Sequence, residues 1–547
     1  MWRQRILLFI IFLCLVSLTY YFFSNKSQDL SYAKQEPTYG GVYRRAFADS
    51  FITLDPARIK DSNSHEVARQ IFDGLVCFDG KGAIVPALCE DWTISEDKLT
   101  YVFRIRNNVK FHSNVCGRPT KNGGRQLTAL DVVYTFKILL APNDNFQNAL
   151  YWVIKGAKDF TEQKNNDITG IRILDEQRVE FTLNSPFSPF VSLLAMCNAF
   201  IVPHEDADEL DICPVGTGPF YWMGKNGDTL CLNANNEYYQ GRPWLDRIEF
   251  PVITDENRRF SDFMAGQLSQ VDVPDSIYKR VKQDAILSPN LVETNLWGIN
   301  YLGFNLNEKP FDNLALRKAL NYAVDRENIV KLVLNGRAQV AKGILPPGIS
   351  GYNEELVGYE YDIEKAKKYL EEAGYPNGKG LPQITLKYNK DPIHTRTAEF
   401  VQANFRDIGV ECKLKGLEFG EHLADIESGK TSFFRMGWTV DYPDPDALLH
   451  TMFHSSNIKV AYNFTRFNNA EFDKILDLAR FETEQDERAK LYKKAEKYVV
   501  EEAPCIFMYF YTLNVLLKPQ VRGFSIGPMG ESVVEYRHLW LTSASQE

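Results

Sequence analysis

The chain has 547 residues, 44% of them hydrophobic and 24% charged, which excludes a disordered protein and exceeds what one hydrophobic core holds. The net charge is −9; residues 1–30 carry +2 (Arg3, Arg5 and Lys26 against Asp29), leaving −11 on the remainder. An acidic body argues against nucleic acid as the partner, because phosphate binding needs basic surface.

In chain order, the first signal is an uncharged run from Ile6 to Phe23 behind Arg3 and Arg5. Such a run spans about 27 Å as a helix, and its basic flank places the remainder of the chain outside the cytoplasm. It ends on Tyr20-Tyr21-Phe22-Phe23, where a cleavage site needs small residues, and Cys14 comes after Leu13, a poor fit to a lipidation site. An uncleaved signal anchor is therefore expected in preference to a cleaved signal peptide, with a polar tether over residues 24–38.

Tyr101 to Arg106 predicts a strand with Tyr101, Phe103 and Ile105 on one face, and Val179 to Leu183 a second. Between them, Asp131 to Leu140 has Val132, Thr135, Phe136 and Leu139 at helical spacing. Tyr301 to Asn307 reads as a strand entering a helix-rich region. There Asp325 caps a helix that Gly336 ends, and Asp362 to Ala373 is stopped by Gly374 and Pro376. Thr483-Glu484-Gln485-Asp486 resembles a capping box opening a long helix to about Glu501. Ile506 to Tyr511 predicts a return strand. Mixed strands and helices over this length indicate α/β or α+β domains, and a chain that crosses and returns gives two lobes a shared hinge. Beyond Cys14 there are eight cysteines without CxxC or zinc-like spacing; Cys197 and Cys213 offer a short-loop disulfide, although spacing does not fix connectivity.

The segment Gly437-Trp438-Thr439-Val440-Asp441-Tyr442-Pro443-Asp444-Pro445 carries the most chemistry. It places an indole and a carboxylate three residues apart at a Pro-rich turn, a pattern suited to gripping an ammonium beside an apolar group. The same residues also make an ordinary turn with a packed Trp. Two enzyme-like patterns are weaker. Gly523-Phe524-Ser525-Ile526-Gly527 matches a nucleophile elbow, but Pro528 stands next, where that motif needs a helix. His450 and His454 have metal-ligand spacing but lack the Glu of HExxH.

Several segments, taken in order, resemble the extracellular solute-binding proteins of oligopeptide and dipeptide importers, family 5. They are Thr53-Leu54-Asp55-Pro56, Trp92 to Phe111, Thr128 to Val133, Gly216 to Phe220 and Tyr238 to Pro243. Phe304 to Asp325, Pro346-Pro347-Gly348, Ala373 to Pro376 and Trp438 to Pro445 complete the set. The resemblance implies a periplasmic-binding-protein-like two-lobed α/β fold (type II, cluster C) with two hinge crossings and an inserted subdomain. On that pattern residues 1–30 are the anchor, 38–297 lobe I with the subdomain at about 81–205, 298–509 lobe II, and 510–543 the return to lobe I.

It further implies a non-enzymatic monomer, without metal or cofactor, that captures peptides in the cleft and delivers them to an ABC permease. Lobe closure would engulf the ligand. Asp441 would then pair with the peptide's α-amino group, with Trp438 and Tyr442 beside it. Phe51, Ile52 and Thr53 after the first strand are further candidate contacts, as are Tyr301 and Tyr509 at the crossings, where Trp297 and Tyr511 also stand. Relatives carrying nickel complexes, haem, murein peptides or oligosaccharides keep other solutes open. The stretch Ser113 to Leu127, with Cys116, Gly117, Gly123 and Gly124, departs from the family pattern as an insertion.

Overall fold

The computed structural model describes residues 36–49, 53–142, 146–458 and 462–542. The Ile6–Phe23 run lies outside them, and among the described residues no helix is long and apolar enough to cross a membrane.

Strand alternation builds two four-stranded sheets in the N-terminal half. In one, Val42–Arg44 runs parallel to Arg247–Pro251, with antiparallel Thr229–Ala234 and Phe220–Asn226 next in order. Leu230, Leu232 and Ala234 face inward while the intervening residues face outward, the period-two pattern of a half-buried sheet. In the other, Thr100–Ile105 lies between Cys89–Ile94 and Arg178–Thr182, with Ile171–Asp175 at the edge. Tyr101, Phe103 and Ile105 are buried as their alternation predicts. The helix Ala129–Leu139 opens on a capping box between Thr128 and Asp131, and its Phe136 meets Phe181 edge-on at 5.0 Å.

A seven-stranded sheet joins the halves. The crossing strand Leu291–Phe304 and the return strand Cys505–Leu517 pair antiparallel from Leu291↔Leu516 to Gly303↔Cys505. Their register breaks between Asn295 and Ile299 and again at Asn300/Tyr301. Trp297 sits in the first break. Its N–H donates to the Pro528 carbonyl (2.7 Å), its own carbonyl accepts from Val440 N–H (2.9 Å), and its indole N–H reaches the Pro347 carbonyl (3.2 Å). A local break of this kind is where a paired strand bends most easily. Past Phe304 the chain turns at Asn305–Asn307 into a helical layer whose core holds Phe311, Leu316, Phe405 and Phe433.

Three local expectations need correction or refinement. Cys213 is bonded to Cys116, not to Cys197, which stays a buried free thiol. The insertion folds as a hairpin, Asn114–Val115 with Arg118–Pro119, held against residues 206–213. Arg118 pairs with Glu209, Lys121 with Asp208, and Asp206 accepts from the Lys121 and Asn122 N–H groups. That docking brings two cysteines 97 residues apart to a Cα separation of 6.0 Å, a contact that spacing could not reveal. The long helix, Gln485–Glu502, starts from Glu484 in extended conformation without a side-chain cap, so Thr483 does not form a capping box. Asp325 caps as predicted, but the helix Arg326–Asn328 widens to π geometry over Ile329–Val333 before Gly336.

Candidate functional site

Strand Phe433–Thr439 pairs with the crossing strand from Gly298↔Thr439 to Phe304↔Phe433. It delivers Trp438 and then Asp441 to a turn that ends in helix Asp446–Phe453. Asp441 is half-buried and borders two cavities. One, of about 150 Å³, includes Lys60, Asp61, His65 and Asn198 in its wall; the other, of about 630 Å³, includes Trp152, Phe187, Tyr462 and Phe481. Trp438 is half-buried, donates its indole N–H to the Ala447 carbonyl (3.1 Å) and packs on Tyr462 with centroids 4.4 Å apart. Burial, then the charge of Asp441, pushes the Tyr462 hydroxyl up to about 12. The site therefore presents a carboxylate at the edge of an aromatic wall, the combination that holds a cation away from bulk water.

The turn behind Asp441 is pinned by two ion pairs. Arg480 grips fully buried Asp446 with two bonds (2.7 and 2.8 Å), and Arg488 grips Asp444 likewise (2.6 and 2.8 Å). Burial works against both carboxylates. For Asp446 the Arg480 charge and hydrogen bonds win, holding its carboxyl well below the usual range; for Asp444 burial wins and the carboxyl is raised. Tyr442 is buried in the wall of the larger cavity, its hydroxyl donating to Asp446 (2.7 Å).

Among the described residues, the other candidates line neither cavity at Asp441. Phe51 and Ile52 lie outside the described residues. Thr53 is buried, its N–H donating to Ser64 Oγ (3.3 Å) and its hydroxyl to Asp211, and it lines neither cavity at Asp441. Tyr301 is buried in the crossing strand, edge-on to Phe434 at 6.4 Å, and Tyr509 is buried against Tyr511 at 5.9 Å.

Arg435 carries no signal in the sequence. It is 8% exposed, donates to Asn389 Oδ1 (3.0 Å) and to the Tyr511 hydroxyl (2.9 Å), and leaves Nε unpartnered. Among the described residues it has no carboxylate within ion-pair distance. A buried guanidinium with neutral partners alone is costly unless an anion joins it. A further cavity of about 790 Å³, with Glu256, Arg259, Asp275 and Arg396 in its wall, also includes Asp391, two residues from the Asn389 that holds Arg435.

The enzyme-like patterns do not assemble. The segment after Gly523 is irregular up to the short turn Glu531–Val533. His450, His454 and Asp477 bring ligand atoms within 4.8 Å of one another, but the two imidazoles stack 4.2 Å apart and 12° from parallel. In-plane lone pairs on parallel rings meet on one ion only after a ring rotates.

Comparison with known proteins agrees with this architecture. Residues 83–460, more than half of the chain, match the description "Bacterial extracellular solute-binding proteins, family 5 Middle". The chain is 34% identical to heme-binding protein A of Haemophilus influenzae, covering 93% of each protein. It is 31% identical to the dipeptide-binding protein of Escherichia coli, over 84% of this chain and 87% of that protein. A solved periplasmic binding protein of Helicobacter pylori, associated with an ABC transporter and in complex with the peptide STSA, superposes with a TM-score of 0.76 at 29% identity. That match covers 93% of this chain and 99% of the other. The two-lobed periplasmic-binding fold is thereby shared, and the relatives bind solutes rather than transform them. The chain belongs to the bacterial extracellular solute-binding proteins of family 5.

Proposed function

We propose that this protein is the extracytoplasmic substrate-binding component of an ABC importer, and that its solute is a short peptide held by its free amino terminus at Asp441. The observation that carries this reading is the half-buried Asp441 carboxylate, bordering two cavities beside the Trp438–Tyr462 wall on a turn pinned from behind. The names of the Escherichia coli relative and of the Helicobacter pylori complex support a peptide.

Trp438 shields the clamp, and Tyr442 backs it by holding Asp446. Arg435 receives the peptide's carboxylate, supported by its buried guanidinium lacking an anionic partner. Phe51 and Ile52 add contacts to the ligand, and Thr53, Tyr301 and Tyr509 support the site from buried positions. Lobe I comprises residues 38–297 and 510–543, lobe II residues 298–509, and they close as a monomer before docking on the permease. The uncharged Ile6–Phe23 run tethers the receptor to the membrane, raising its effective concentration beside that permease.

A second reading is haem or another large planar solute. It is favoured by the 34% identity to heme-binding protein A and by His450 in the wall of the larger cavity. Native mass spectrometry of the chain from Ser31 onward separates the two. Co-purifying masses of short peptides support the first reading; a haem mass, or sugar or metal complexes without peptide, overturns it.

A further inference from the structure

The turn that carries Asp441 is held by a residue that also touches a second, distant segment of the chain at the cavity wall. Arg480 lies at the C-terminal end of helix Ala470–Phe481. On one side its guanidinium closes two hydrogen bonds on Asp446, the first residue of the helix next to the Asp441 turn. Asp446 in turn accepts the Tyr442 hydroxyl, and its N–H donates to Asp444 Oδ1 (2.9 Å), so its placement fixes the turn residue by residue. On the other side the same guanidinium lies over the Phe187 ring, 5.2 Å from its centroid. The Arg480 carbonyl accepts from Ser188 N–H (3.0 Å), and the Ser188 hydroxyl donates to the Glu482 carbonyl. Phe187, Arg480 and Asp441 all line the larger cavity.

Residues 187–188 belong to the inserted region expected to travel with lobe I, and Arg480 to the region expected to travel with lobe II. A planar guanidinium can serve both sides at once, with in-plane donors to a carboxylate and a face on an aromatic ring. A lysine could keep the charge but not the fork.

We infer that Arg480 is a positioning residue that couples the ammonium clamp to lobe closure, holding the Asp441 turn through Asp446 and the opposing lobe through Phe187 and Ser188. With the lobes apart, the Phe187–Ser188 contact is lost and the arginine is free to shift, loosening the turn. With the lobes together, its position is fixed from both sides and Asp441 is set for the amine. This inference rests on the proposed peptide function and adds the residue through which closure acts on the clamp.

The test compares binding kinetics of trialanine and N-acetyl-trialanine for the wild-type protein, Phe187→Ala and Arg480→Lys, with circular dichroism confirming folding. Phe187→Ala removes the ring from the far contact and leaves the Ser188 hydrogen bonds and the grip on Asp446 in place. It should speed trialanine dissociation about tenfold, leave association within about twofold, and keep the preference for the free amine. Arg480→Lys should weaken trialanine binding and reduce that preference about tenfold, because the clamp is mis-set rather than removed. Unchanged dissociation in Phe187→Ala overturns the inference, as does an unchanged preference in Arg480→Lys. If Arg480→Lys does not fold, Phe187→Ala alone decides. A wild-type protein that binds neither peptide removes the peptide reading and this inference with it. One that binds trialanine while both variants behave as wild type removes this inference alone.

Discussion

A carboxylate proposed to hold an ammonium must be partly dry, so that the pair is strong, and partly open, so that the ligand can arrive. Asp441 is half-buried at the border of two cavities and meets both conditions. Asp441→Asn keeps the shape and removes the charge. It should weaken peptide binding by about 1.5–3 kcal/mol, the scale of a hydrogen bond to a charged group. Calorimetry showing the wild-type affinity would take Asp441 out of the site. Trp438 and Asp441 stood out as candidates in the sequence because the turn is written contiguously, from Gly437 to Pro445. Arg435 was not, although it stands only three residues before Trp438. What distinguishes it is the absence of an anionic partner, and its neutral partners Asn389 and Tyr511 come from 46 and 76 residues away. Strand periodicity states which face a residue occupies, not which distant side chains meet it there.

At the scale of elements, the turn and the helix Asp446–Phe453 are fixed to helices Ala470–Phe481 and Gln485–Glu502 by the Arg480–Asp446 and Arg488–Asp444 pairs. Breaking one side of a buried pair leaves the other charge uncompensated. Asp444→Asn should therefore destabilise the fold by about 3–5 kcal/mol in denaturant unfolding. A loss below about 1 kcal/mol would show that Arg488 finds another partner or reaches solvent. Helix ends marked by Asp325 and Asp362 could be read ahead of the structure, since each carboxylate accepts an N–H three residues on, at 3.0 and 2.9 Å. The start of the long helix could not, because Thr483 has the capping composition while the chain enters the helix through Glu484. Nor could the Cys116–Cys213 bond, which depends on where an inserted hairpin docks.

Across the whole molecule, one buried cluster ties together parts of the chain far apart in sequence. Arg45 lies 2.9 Å from Glu66 and also pairs with Glu531, which accepts from Gln270 (2.9 Å), while Tyr536 donates to Glu66. Two carboxylates share this guanidinium in a buried setting, and burial raises both above the usual carboxylate range. Burial also pushes Glu496 up to about 8 and Asp73 up to about 6. Groups with raised folded-state values contribute stability below their unfolded values and lose it as pH climbs through the folded ones. Glu535 works the other way. Burial opposes ionisation there, but His538, Arg69 and Arg537 hold it down to about 2, so its contribution is lost as pH falls toward that value. Burial lowers the imidazoles of His65, His112, His394 and His450, which lose stability as pH falls below about 6.5 and so oppose the carboxylates there. Melting temperature should thus fall between about pH 6.5 and about pH 8, where the carboxylates act unopposed. A melting temperature that rises steadily over that window would contradict the assignment.

The two-lobed plan was legible from the ordered family segments and from the crossing and return strands. The register break around Trp297, which locates a bend, needed the pairing itself. The proposed function comes down to one act, the closing of two lobes over a positively charged ligand end. Calorimetric titration of the wild-type protein with trialanine and with N-acetyl-trialanine tests that act most directly. The account predicts that removing the amine's charge weakens binding by about tenfold or more. Equal affinity for the two peptides would contradict it.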